Sequence, residues 1–152
     1  MTFEGRIRDV LGHKGKAVWI ISPEETVFNA IKMMAEKNVG ALLVTKGDKL
    51  VGIISERDYS RKVVLQGRSS KSTAVREILS GRVFFVSPDH SIDDCMRLMT
   101  EHRIRHLPVL EADKIVGVVS IGDLVNWIIS AQNSAIHQLE TYITGYPSSP
   151  AV

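Results

Sequence analysis

The segment Val51-Gly52-Ile53-Ile54-Ser55-Glu56-Arg57-Asp58 recurs as Val116-Gly117-Val118-Val119-Ser120-Ile121-Gly122-Asp123. In each copy an apolar run ends on a serine, and an aspartate follows three residues later at an expected helix start. A helix N-terminus presents free N–H groups and the positive end of its dipole, which suits a phosphate. The hydroxyls of Ser55 and Ser120 can add a hydrogen bond there. Asp58 and Asp123 can accept both hydroxyls of a ribose, as an acid does in dinucleotide-binding folds. Arg57 adds a planar, permanently charged donor fork. The same spacing has a purely structural explanation, because Ser-x-x-Asp forms a capping box that satisfies free backbone N–H groups. By spacing alone the cap is the stronger explanation.

A second cluster is Arg103-Ile104-Arg105-His106-Leu107-Pro108-Val109. Arginines near a helix C-terminus complement its dipole. Two arginines and a histidine beside a candidate phosphate site also suit anion binding, and the two explanations balance. His13, His90, His102 and His137 have no partner at metal-ligand spacing and read as surface residues. No metal site and no catalytic residue is expected. Cys95, the one cysteine, falls on an apolar helix face and reads as a buried structural thiol. Met33, Met34, Met96 and Met99 read as core.

The elements that carry these residues are duplicated. With Ser22-Pro23 placed over Ser87-Pro88, the match runs without a gap for about forty residues, from Met34/Met99 and Leu42/Leu107 to Gly52/Gly117 and Asp58/Asp123. Upstream, residues 7–11 answer residues 75–79, with three extra residues in the 12–16 loop of the first copy. Each copy starts with an apolar run expected to be a strand, at 18–21 and 83–86. Ser-Pro is expected to open a helix. Val27, Ala30, Ile31 and Met34 share one helix face, and Ile92, Cys95, Met96 and Met99 share the other copy's. Strands are expected at 41–45 and 50–54, joined by Gly47-Asp48, and at 106–110 and 115–119. Second helices start near Glu56 and Ile121. The last helical pattern runs on through Trp127, Leu139 and Ile143 until Gly145 and the proline-bearing tail. Trp127 and Tyr142 either cover their own domain or face a second subunit, and the interface is slightly preferred.

The 152 residues are 44% hydrophobic and 24% charged, with net charge +2. That is a soluble globular composition, and the charge balance argues against nucleic acid. The N-terminus has no signal-peptide pattern and no apolar run suits a membrane span, which makes the cytoplasm the expected compartment. Expected boundaries are a first repeat at 1–66, a linker at 67–74, a second repeat at 75–132, and a C-terminal helix and tail at 133–152.

From about Ile7 to Ile143 the sequence closely resembles a stand-alone pair of CBS domains, named after cystathionine β-synthase and also called a Bateman module. The carriers are 51–58, 116–123, the Arg105–Val109 segment and the Ser-Pro openings. The resemblance implies an α/β fold of α+β type: two CBS repeats, each a small sheet packed on two helices, in pseudo-twofold arrangement. It implies a regulatory sensor rather than an enzyme, binding AMP, ADP, ATP, NAD(H) or S-adenosylmethionine in clefts between the repeats, with AMP the first choice. Asp58 and Asp123 would hold ribose. Ser55, Ser120 and Arg57 would contact phosphate, and Arg105 and His106 would line the phosphate region. The backbone around Trp19, Ile21 and Val86 would frame the adenine. Gly40-Ala41-Leu42-Leu43 stands where the second repeat has Arg105-His106-Leu107-Pro108, so Gly40, Ala41 and Pro108 join the candidate ligand-binding set. Gly122 stands in place of Arg57. The clefts are therefore unequal, with the principal one around Asp58. A homodimer through helices and a regulated partner protein are expected. The alternatives are a ligand-independent interaction scaffold and a module for S-adenosylmethionine.

Overall fold

The computed structural model describes residues 2–144. The element order is α1 (Ile7–Lys14), β1 (Ile20–Ile21), α2 (Val27–Lys37), β2 (Ala41–Lys46), β3 (Lys49–Ser55), α3 (Glu56–Tyr59), α4 (Ile92–His102), β4 (His106–Glu111), β5 (Lys114–Ser120) and α5 (Ile121–Thr144). A π-helical turn, Ser60–Val64, continues α3, and a 3-10 turn occupies Val75–Glu77. The duplicated pattern of helix, two strands and helix is present in both copies, with mixed α and β content.

The two core helices share their end signals. Thr26 and Ser91 are the N-caps, accepting from the backbone N–H of Asn29 and Asp94 at 3.1 Å each. Each satisfies one of the free donors of the first turn. Asn38 and Arg103 end the helices in the left-handed conformation, at φ 54° and 53°. Ser22-Pro23 therefore does not open α2. It forms a turn four residues earlier, because the capping hydroxyl is Thr26, and Ser91 rather than Ser87 caps α4. The apolar runs before these turns pair only at their ends. Ile20 and Ile21 lie parallel to Leu43 and Val44, and Val86 makes a single parallel bridge to Val109.

By contacts the chain forms two units. One, the sheet unit, comprises residues 16–87 and 108–118. Its three-stranded sheet has the order β1-β2-β3, with β1 parallel and β3 antiparallel to β2. Ile21, Val27, Ala30, Met34, Leu42, Val44 and Ile54 of the first repeat bury one cluster. Val75 and Ile78, from the start of the second repeat, complete it. They are held there by Val75 N–H to the Glu25 carbonyl, 2.8 Å, and Arg76 N–H to the Pro23 carbonyl, 2.9 Å. A side chain at Gly52 would meet the Leu79 methyls at 3.0 Å, so glycine is what lets this segment close on β3. Residues 67–74, expected as a linker, are tied down too: the Thr73 carbonyl accepts from Val27 N–H at 2.8 Å.

The other unit comprises residues 2–15, 88–107 and 119–144. Here α1 and α4 pack against α5. The docking mirrors the sheet unit: Ile7 N–H reaches the His90 carbonyl and Arg8 N–H the Pro88 carbonyl, both at 2.9 Å. Arg8 also pairs with Asp89, as Arg76 pairs with Glu24 in the sheet unit. Each repeat thus sends its leading segment to the other repeat's helix start. Trp127 makes its contacts here with the N-terminal segment of its own chain. Its indole N–H donates to the Glu4 carbonyl at 2.9 Å, and its ring meets His13 edge-on. Tyr142 is exposed. Gly145 and the tail, expected to end α5, lie outside the described residues.

The turn between β4 and β5 places Ala112 and Asp113 at φ 50° and 63°. Two positive φ angles are the mark of a type I′ hairpin turn, which favours Asn-Gly. Ala112→Gly is expected to raise stability by about 1 kcal/mol, because a left-handed alanine costs that order. Urea denaturation measures it.

Candidate ligand-binding site

Both Ser-x-x-Asp corners are built alike. In the sheet unit β3 ends on Ser55 in extended conformation, and the chain turns into α3. The Asp58 carboxylate accepts from Ser55 N–H at 2.9 Å and from the Ser55 hydroxyl at 3.0 Å. Asp58 N–H lies 3.2 Å from the same hydroxyl oxygen. The capping box is therefore real, and its acid is half-buried rather than closed off. In the other unit Asp123 accepts from Ser120 N–H at 2.8 Å, and Asp123 N–H donates to Ser120 Oγ at 3.1 Å.

The flanking candidates fall beside these corners. Gly40 accepts from Glu56 N–H at 3.1 Å, and Ala41 is the strand partner of Ser55. Arg105 occupies the Gly40 position of the second corner, its carbonyl accepting from Ile121 N–H at 2.9 Å, with His106 next to it. The Arg105 side chain is exposed, and His106 and Arg57 are half-buried. Trp19 is 39% exposed, with the Lys37 ammonium 4.5 Å from its ring centroid. Ile21, Val86 and Pro108 are buried. Their side chains belong to packing, and Val86 N–H donates to the Pro108 carbonyl at 3.0 Å.

Two site residues escaped the sequence reading. Lys62 stands 3.4 Å from the outer oxygen of Asp58, one helical turn along. That i, i+4 spacing of acid and base was a usable signal. Lys14, at the end of α1, donates to Asp123 Oδ2 at 2.7 Å. Nothing local could announce it, since the pair is 109 residues apart. The second corner lacks Arg57's counterpart, and Lys14 restores a cation to it. Each corner therefore offers a carboxylate that can take two hydroxyl donors and an ammonium that can take an anion.

The single cysteine lies apart from the corners. Burial, and secondarily Asp94, pushes the Cys95 thiol up to about 12, so at neutral pH it is no thiolate nucleophile. The unfolded thiol ionises near 9.0. This contribution to stability is thus complete below pH 9 and is lost as pH rises toward 12. The folding equilibrium should weaken by about tenfold per pH unit in that window. Urea midpoints of wild type and Cys95→Ala, compared across alkaline pH, measure it. Among the described residues no three His, Cys, Asp or Glu side chains are grouped to hold a metal ion. No helix among them is long and apolar enough to cross a membrane.

Residues 7–64 and 75–130 each match the family described as the CBS domain. The chain belongs to the CBS-domain family. A mitochondrial CBS domain-containing protein of Arabidopsis thaliana is 43% identical over 148 residues, covering 91% of this chain and 72% of its own. A CBS-domain protein structure from Burkholderia ambifaria superposes with a TM-score of 0.81 at 51% identity, covering 84% of this chain and 96% of that one. A CBS domain pair solved with 5′-methylthioadenosine and S-adenosyl-L-methionine shares the fold, with a TM-score of 0.74 at 22% identity over 84% of this chain and 98% of that one.

Proposed function

We propose that this CBS pair is a regulatory module that binds an adenosine-bearing ligand at its Ser-x-x-Asp corners and carries out no covalent chemistry. The observation that carries this reading is the doubled corner itself. Asp58 and Asp123 each stand at a strand end, half-buried, with a lysine alongside. Vicinal ribose hydroxyls suit the carboxylates. A 5′-phosphate suits the lysines and Arg57. AMP therefore remains the first ligand to test, followed by ATP, ADP and NAD(H). The pair solved with methylthioadenosine and S-adenosyl-L-methionine supports adenosine as the common element. The presence of Lys14 makes the second corner less deficient than Gly122 alone suggested.

Isothermal titration of the purified chain with AMP, ATP, NADH and S-adenosylmethionine tests the reading. Saturable binding of at least one is expected. A regulatory ligand must prefer one arrangement of the protein over another, and its leverage is set by that difference, on the order of 1–3 kcal/mol. Binding of none at millimolar concentration would leave a ligand-independent scaffold as the better account.

The reading includes a homodimer through α5. Val125, Ile129, Ile136, Leu139 and Ile143 are exposed. With Gln132 they follow the alternating four-and-three spacing of a helix–helix seam. A single polar position in such a seam is compatible with pairing and fixes register. The protein that it regulates would read the ligand-dependent arrangement.

A further inference from the structure

Beside the Asp58 corner, and sharing Lys62 with it, the sheet unit carries a groove of about 510 Å³. Its basic side is Arg61, Lys62 and Arg68, and Ile78 and Leu79 line it as the apolar part. Gln66 and Glu77 complete the lining. We propose that this groove is a second binding site, taking a small phosphate-bearing anion, and that Lys62 couples its occupancy to Asp58.

The backbone sets the charges. After α3 the chain widens into the π-helical turn Ser60–Val64, and Leu65 N–H reaches back five residues to the Ser60 carbonyl at 3.1 Å. Such insertions often mark functional sites because they redirect side chains. Here Arg61 and Lys62 leave this turn beside Arg68. Three cations therefore share one concavity with a single acid. The charge of Glu77 is already engaged, by Ala74 N–H at 2.6 Å and by Arg68 at 2.7 Å. Arg61 is exposed, and among the described residues it has no hydrogen bond or ion pair. Its planar fork of five donors is available for phosphate oxygens. The volume lies in the range of small-molecule sites, roughly 300–1,000 Å³. A net charge of +2 and a confined basic patch favour a small anion over nucleic acid, which needs an extended basic track.

The coupling runs through one ammonium. Lys62 Nζ donates to the Ile78 carbonyl at 2.9 Å and stands 3.4 Å from Asp58 Oδ1. An anion in the groove draws that ammonium from Asp58. The carboxylate is then held by Ser55 alone, so the Ser55 amide reports on the groove. The coupling rests on the proposed corner function through Lys62, whereas Arg61 and Arg68 belong to the groove alone. An adenosine-bearing ligand without phosphate, such as methylthioadenosine, leaves the groove untested, and pyrophosphate leaves the ribose reading untested.

The experiment is a titration of the full chain with sodium pyrophosphate at low ionic strength, followed by amide NMR and calorimetry. Saturable shifts at residues 61–68, moving together with Ser55, are expected. Arg61→Gln should weaken binding about tenfold, the scale of one charge-assisted hydrogen bond, with an unchanged melting temperature because Arg61 supports nothing else. Glu77→Gln, which keeps an oxygen for Ala74 N–H, should tighten it. Absence of saturation, or an affinity indifferent to Arg61→Gln, overturns the site. Groove shifts without Ser55, or Ser55 shifts that persist unchanged in Arg61→Gln and so come from anion bound at the corner itself, overturn the coupling. Tighter, Arg61-dependent binding of a single-stranded oligonucleotide than of pyrophosphate overturns the small-anion assignment.

Discussion

Asp58→Asn is expected to weaken an adenosine-bearing ligand by about tenfold or more while costing only about 1 kcal/mol of stability. The two effects separate because the residue does two jobs with different demands. As a cap, it needs one oxygen for Ser55 N–H at 2.9 Å, and asparagine retains such an oxygen. As a ribose acceptor, it needs a charged carboxylate facing two hydroxyls, and hydrogen bonds to charged groups are the stronger kind. Loss of the Lys62 contact adds little, since both partners are partly exposed. Calorimetry for affinity and urea melts for stability give both numbers from one preparation. Lower stability with unchanged affinity would reduce Asp58 to a cap. Asp123→Asn applies the same test to the second corner. It should cost more stability there, because Lys14 donates to Asp123 at 2.7 Å and both side chains are about a quarter exposed.

The double change Ile136→Glu and Leu139→Glu should turn the proposed dimer into a monomer, raising its dissociation constant roughly a hundredfold or more. Both side chains are exposed in the single chain, at 55% and 59%. Their replacement therefore costs the monomer little. In a seam between two α5 helices the same carboxylates would be buried without partners. Ser134→Glu, on the opposite side of α5, is the control and should leave association unchanged. Sedimentation equilibrium measures all three. If the wild-type chain is itself monomeric at high concentration, the seam has another use.

Much of this protein is written along its chain. The repeat was legible because burial works on every turn: Val27, Ala30 and Met34 are buried, and so are Ile92, Cys95 and Met99 at matched positions. The corners were legible because strand end, hydroxyl and acid lie within four residues, and the capping geometry that joins them is local. Expectation failed where a short pattern had competing solutions. Ser-Pro could begin a helix or a turn, and the hydroxyls of Thr26 and Ser91 decided it.

The duplicated helix–strand–strand–helix pattern, the buried thiol and the paired serine and aspartate can all be read along the chain, since periodicity and local hydrogen bonding suffice for each. Folding in three dimensions sets the exchange of the leading segments, Val75 docking on Glu25 and Ile7 on His90. It alone brought Lys14 to Asp123 across 109 residues, and gathered Arg61, Lys62 and Arg68 around one groove. Those contacts depend on where whole elements come to rest. No periodicity encodes them, because a distant ammonium meets a carboxylate only after the core has set the path between them.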